Sequence, residues 1–302
     1  MLTLNDYNID LTVIGNGAQA KIVRAQHIVT HELVAVKVYP LKNYTDLLCF
    51  ENEARLLAQC RKIPQIIQAR ACFVHKQHGF LVMPLFAQDL LTKIMDENGL
   101  GERNTMNLFK QICEGVQQCH EKNIAHLDLK PDNILYSNND EKVYICDFGN
   151  SYQFENENDE VNIGRRGTVL YSAPEVKNKP TYNPVKADIW SLGILLHVMT
   201  LGYFPHSKND ANMEHYHRGT INLAFAQRDC SPLLCELLTS ILNVNPAERP
   251  SIAQILNHPW FASFNQNSTQ RDIRPTSTSF AHRLSDRIFG NTSSRGRVRP
   301  SG

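Results

Sequence analysis

No Cys-x-x-Cys pair occurs among the eight cysteines, Cys49, Cys60, Cys72, Cys113, Cys119, Cys146, Cys230 and Cys235. That absence removes zinc-ribbon and thioredoxin-like chemistry. Cysteines scattered through apolar segments read as reduced and mostly buried, so the expected compartment is intracellular, cytoplasmic and/or nuclear. No charge excess exists either: 31 Lys and Arg face 30 Asp and Glu, a net charge of +1. A nucleic-acid partner, which needs a basic surplus, is therefore not expected. The start, MLTLNDYNID, lacks the basic-then-apolar pattern of a signal peptide. No apolar run reaches bilayer length. The best, Ile189 to Phe204, contains Ser191, His197 and Thr200 and reads as a buried core helix, so no membrane span is expected. No internal repeat of solenoid length is visible.

What remains is a chain of 302 residues with 42% hydrophobic and 20% charged side chains, enough for one large or two modest globular domains. Strand patterns occupy Tyr7 to Ile14, Lys21 to Ala25, Leu33 to Tyr39, Ile63 to Phe73 and Gly79 to Met83. Leu48, Leu56 and Leu57 recur at helical spacing within Thr45 to Cys60. From Leu90 onward helices dominate, with Thr105 to Lys122, Lys186 to Leu201, Pro232 to Leu242 and Ser251 to Leu256 the clearest. After Phe264 the composition changes. Residues 265–302 hold seven arginines against Asp272 and Asp286, with abundant Ser and Thr, and read as a disordered basic tail.

Four motifs carry chemistry. Ile14-Gly15-Asn16-Gly17-Ala18-Gln19-Ala20-Lys21-Ile22 lies between two strands, where glycines let a backbone approach phosphates closely. Taken alone it is equally a hairpin turn, and no Gly-Lys-Ser/Thr follows, so it is not a Walker A loop. In Val34-Ala35-Val36-Lys37, a lysine in an apolar strand needs a carboxylate or phosphate partner, and Glu53 follows sixteen residues later. A solvent-facing lysine on an edge strand is the other reading. His126-Leu127-Asp128-Leu129-Lys130-Pro131-Asp132-Asn133 is the strongest signal. It sets out a carboxylate, an ammonium and an amide that can orient a hydroxyl, stabilise a transferring phosphate and hold a divalent metal. Asp147-Phe148-Gly149 alone is a generic strand-ending turn, but fourteen residues after Asn133 it can supply a second metal ligand to the same site.

Together these motifs resemble those of eukaryotic protein kinases. The resemblance covers about Tyr7 to Phe264. It extends through Gly167-Thr168-Val169-Leu170-Tyr171-Ser172-Ala173-Pro174-Glu175, through Asp188-Ile189-Trp190-Ser191-Leu192-Gly193, and to Arg249. It implies an α+β bilobal fold, with a small β-rich lobe over about 7–83, a hinge at 84–86 and a larger helical lobe over 87–264.

The resemblance also implies roles. Lys37 contacts the α- and β-phosphates of ATP and pairs with Glu53. Asp128 accepts the proton of the substrate hydroxyl, Lys130 stabilises the γ-phosphoryl group, and Asn133 and Asp147 ligate Mg²⁺. Met83 is the gatekeeper, Pro84, Leu85 and Phe86 form the hinge beside the adenine, and Ile22, Ala35 and Leu135 enclose it. Cys146, next to Asp147, borders the same pocket. Glu175 pairs with Arg249, while His126, Phe148 and Asp188 are structural. Lys130-Pro131-Asp132-Asn133 and Thr168 are similar to serine/threonine kinases, and His258-Pro259-Trp260-Phe261 to the calmodulin-dependent type.

Departures from the family pattern bear on control. Leu127 stands where the family carries an arginine that binds an activation-loop phosphate. Residues 154–167 contain no Ser, Thr or Tyr but hold Glu155, Glu157, Asp159 and Glu160. Gln19 and Ala20 replace an aromatic and a glycine at the loop tip. The sequence therefore reads as a protein serine/threonine kinase active without loop phosphorylation. A pseudokinase scaffold is the alternative, and a small-molecule kinase is opposed by the segment Thr168 to Glu175.

Overall fold

The computed structural model describes residues 2–17, 19–205 and 230–263. Ala18 and the expected tail at 265–302 lie outside the described residues. A six-stranded antiparallel sheet opens the chain, in the order β1-β2-β3-β4-β6-β5. Its strands are β1 (Leu2–Leu4), β2 (Tyr7–Asn16), β3 (Lys21–His27), β4 (Leu33–Pro40), β5 (Ala71–His75) and β6 (His78–Pro84). Helix α1 (Tyr44–Gln59) packs on one face; it starts where the Asn43 side chain accepts a hydrogen bond from the Asp46 amide.

Alternation along β4 gives the sheet two faces with different tasks. Val34 and Val36 enter an apolar cluster with Ile9, Val23, Ala25, Phe80 and Val82. Tyr39 points the other way and joins Phe50, Leu56 and Leu57 of α1 in the main core. Lys37 shares that second face. The edge-strand reading of Lys37 is excluded, because β4 is flanked by β3 and β6.

Helices follow: α2 (Leu90–Glu97), α3 (Gly101–Glu121), α4 (Pro174–Asn178), α5 (Pro184–Leu201), α6 (Pro232–Ile241) and α7 (Ile252–Leu256). Every residue of α5 but Lys186 is buried. It is the central helix of this lobe, and no helix among the described residues is long and apolar enough to cross a membrane. A side-chain cap or proline marks most of the starts, and Gly202 ends α5 in the left-handed region. Small strands β7 (Gln88–Asp89), β8 (Ile124–Ala125), β9 (Ile134–Ser137), β10 (Lys142–Ile145) and β11 (Tyr152–Gln153) frame the loops that carry the chemistry. β9 pairs with β10 and β7, and β11 pairs with β8.

The strand expected over Ile63 to Phe73 is corrected: only Ala71 onward is strand. Residues 63–70 form turns, with the Ile66 amide donating to the Ile63 carbonyl and Ile66 touching the sheet of the second lobe by one bridge to Ile145. The buried Ile63, Ile66 and Ile67 serve as a plug between lobes. None of the eight cysteines is in a disulfide. Four of them, Cys60, Cys113, Cys119 and Cys230, are buried, and Cys72 is exposed.

Candidate active site

β4 and α1 bring the first cluster together. The Lys37 Nζ donates to both Glu53 oxygens at 2.9 Å and to Asp147 Oδ1 at 2.8 Å. Burial penalises the lysine charge, but Glu53 and Asp147 outweigh it and hold the Lys37 pKa well above its ordinary value. Burial alone would raise the Asp147 pKa; the Lys37 charge and hydrogen bond lower it below the usual carboxylate value. Both groups are therefore ionised at neutral pH. Tyr39, two residues beyond Lys37 on the same face, donates its hydroxyl to Glu53 Oε2. Sequence reasoning missed this residue, although the period of two would have placed it there.

The second cluster sits on the loop between β8 and β9. Asp128 Oδ1 accepts from the Thr168 amide at 2.8 Å and from the Thr168 hydroxyl at 2.7 Å. Lys130 Nζ lies 3.2 Å from Asp128 Oδ2 and donates to the Thr168 hydroxyl at 2.7 Å. Asn133 spends its amide nitrogen on the Asp128 carbonyl and on Asp128 Oδ2. Asn150 Nδ2 reaches the same Oδ2 at 3.3 Å.

Asp188, fully buried on α5, holds this loop from beneath. Its carboxylate accepts the amides of His126 and Leu127, both at 2.7 Å, and contacts His120 Nε2 at 2.9 Å. Leu127 is thereby kept at φ 62°, a conformation few leucines adopt. His126 meets the fully buried Phe148 edge to face at 5.0 Å. Gly167, at φ +79°, passes so close to Leu127 that a Cβ there would lie 2.1 Å from the Leu127 carbonyl oxygen. Only glycine admits this approach.

The other sequence-selected residues fall around these clusters. Gly15 and Asn16 end β2, Lys21 and Ile22 begin β3, and the Gly17 amide donates to the Ala20 carbonyl across the turn. Ile14 and Gln19 are exposed, and Ala20 is buried. Ala35 pairs with Met83 across β4 and β6. Met83 is buried; Pro84, Leu85, Phe86 and Leu135 are half-buried, with Phe86 stacked at a tilt on Tyr144. Cys146 donates its thiol to the Asn133 carbonyl at 3.3 Å. Burial pushes its pKa well up and outweighs the opposing Lys37 charge, so the thiolate does not form at neutral pH. Asp89 caps α2 by accepting the Thr92 amide, and burial raises the pKa of Asp132. Arg249 makes a two-pronged pair with Glu175, at 2.5 and 2.8 Å, in full burial.

The donor set fits a magnesium ion. Asp147 offers a carboxylate and Asn133 an amide oxygen, which suits a hard cation whose remaining positions are filled by phosphates and water. No group of three or more His, Cys, Asp or Glu able to hold a metal occurs among the described residues.

Residues 9–261 match the family described as protein kinase domain. The chain is 30% identical to CBL-interacting protein kinase 29 of Oryza sativa subsp. japonica, over 82% of this chain and 58% of the relative. It is 30% identical to calcium-dependent protein kinase 5 of Plasmodium berghei, over 85% and 46%. It is 29% identical to serine/threonine-protein kinase H1 of Mus musculus, over 93% and 68%. The chain spans about half the length of the first two. With most of its length matched, the chain belongs to the protein kinase domain family.

Proposed function

We propose that the protein is an ATP- and Mg²⁺-dependent kinase that phosphorylates Ser and Thr hydroxyls of other proteins and needs no phosphate on its own activation loop. The observation that carries this reading is the joint assembly of Lys37–Glu53–Asp147 and Asp128–Lys130–Thr168. Both stand in place around a loop whose residues 154–167 contain no Ser, Thr or Tyr.

Each residue then has a task. Lys37, oriented by Glu53, grips the nucleotide phosphates. Asn133 and Asp147 hold the metal, which neutralises phosphate charge. Asp128 is kept in place by Thr168 and Asn133 and takes the proton of the attacking hydroxyl. Lys130 sits beside it, where negative charge builds on the transferring group. Asp89 and Asp132 lie near the expected path of a peptide and favour acceptors with upstream arginines through charge-assisted hydrogen bonds. The compartment we assign is intracellular.

The test is phosphotransfer from radiolabelled ATP to a mixed peptide pool, with Asp128→Asn as control, before and after phosphatase. Transfer that depends on Asp128 and survives phosphatase supports the reading. Absence of transfer under all conditions supports a scaffold, and loss after phosphatase removes the phosphate-independent part.

A further inference from the structure

We propose that Arg166 is a positioning residue that clamps the two limbs of the activation loop together, doing from within the loop what a bound phosphate would do; this rests on the phosphate-independent reading above. The half-buried Arg166 lies next to Gly167. Its Nε donates to the Ile163 carbonyl at 3.3 Å on the returning limb. Its Nη1 donates to the carbonyls of Asn150 at 3.1 Å and Ser151 at 3.4 Å on the outgoing limb. The guanidinium also lies 6.0 Å from the Tyr152 ring centroid. A planar fork with several donors can satisfy carbonyls on two strands at once, which an ammonium cannot do as well.

Both clamped limbs end on the catalytic carboxylate. Beyond Arg166, Thr168 donates twice to Asp128 Oδ1. Asn150, whose carbonyl Arg166 holds, donates its side-chain amide to Asp128 Oδ2. The Ser151 carbonyl accepts in addition from Asn52 of α1 at 3.5 Å, so the clamp also reaches the helix that carries Glu53. Position 127, which would supply the phosphate-binding cation, is a buried leucine. The cation has moved onto the loop and its acceptors are backbone carbonyls, which no phosphatase can remove. Its neighbour Arg165 donates to the Lys177 carbonyl, and the loop acid Glu160 accepts from Thr181.

The experiment compares the full chain with Arg166→Ala and Arg166→Lys, all treated with phosphatase. The expected result for Arg166→Ala is a fall in peptide kcat of at least about tenfold. Its KM for ATP should stay within about twofold, because the carbonyls Arg166 holds belong to Asn150, Ser151 and Ile163 and not to Lys37, Glu53 or Asp147. A glutamate-specific protease should cut the loop at Glu155 to Glu160 faster, while the thermal midpoint moves by less than about 4 °C. Arg166→Lys should fall between the two. Wild-type kcat in Arg166→Ala overturns the clamp and leaves the phosphate-independent reading standing. An inactive phosphatase-treated wild type, still active before treatment, overturns both. If Arg166→Ala does not fold, Arg166→Lys decides: undiminished kcat with unchanged cleavage overturns the clamp, and reduced kcat with faster cleavage supports it.

Discussion

The Tyr39 hydroxyl donates to the same Glu53 oxygen that Lys37 holds. One carboxylate thus has two partners from a single strand, and both stand on the same face two residues apart. Tyr39 is only 2% exposed, and burial together with the Glu53 charge raises its pKa, so it remains a donor throughout the working range. The position of α1 is written into β4 itself.

Tyr39→Phe should therefore loosen α1 without unfolding the chain. The lost hydrogen bond to a charged group costs about 1–3 kcal/mol. Glu53 keeps Lys37, so the lower end applies, and kcat/KM for ATP should fall by up to about tenfold. Steady-state kinetics with a calorimetric melting curve check this; unchanged kinetics would mean that Tyr39 serves packing only.

Under the proposed function, Lys37→Met, Asp128→Asn and Asp147→Asn should each sharply lower phosphotransfer, for different reasons. The first would remove the phosphate contact, the second the proton acceptor and the third a metal ligand. Loss for Asp128→Asn should lie in the 10²–10⁴-fold range of acid–base groups, roughly. Nucleotide binding monitored by calorimetry should survive Asp128→Asn and weaken with the other two. Near-normal transfer by Asp147→Asn would remove it from the metal site.

Gly167→Ala should fail structurally, because its new methyl carbon would meet the Leu127 carbonyl oxygen at 2.1 Å and its backbone sits at φ +79°. A cost of about 2–3 kcal/mol and loss of activity are expected in denaturant titration and assay. A fully active, equally stable variant would show that the approach is not required.

His197 supplies a pH prediction. It is buried in α5, and its Nδ1 donates to the Tyr203 carbonyl at 2.8 Å. Burial pushes its pKa down to about 4 from 6.5. The folded state keeps the ring neutral, while the unfolded chain takes up a proton below its ordinary pKa. Its contribution is complete above pH 6.5 and is lost as pH falls toward 4, a total on the order of 3 kcal/mol. His197→Gln should flatten that part of the stability–pH curve, and an unaltered slope would place the dependence elsewhere.

Much of this was legible in the sequence because local patterns coincide with local structure. The Val34–Lys37 run, the Asp128–Asn133 loop and Asp147–Gly149 each carry their chemistry within a few residues. The central helix announced itself by an apolar run with few polar interruptions. What stayed hidden depends on contacts distant in the chain. Nothing beside Arg166 says that its acceptors are Asn150 and Ser151. The left-handed Leu127 exists only because Asp188, 61 residues away, fixes its amide. The misread run Ile63 to Arg70 is apolar enough for a strand, but Pro64 and the spacing of Ile63, Ile66 and Ile67 suit a buried turn.

Asp188 has one more consequence. Its carboxylate seals the amides of His126 and Leu127 against α5, which is buried at every residue but Lys186. Those two amide hydrogens cannot meet solvent unless α5 itself is torn out. Deuterium should enter them only by global opening, at the slowest rate in the chain. The loop that carries Asp128 is thus tied to the core helix by two backbone hydrogen bonds. On heating, catalysis and fold should disappear at the same temperature.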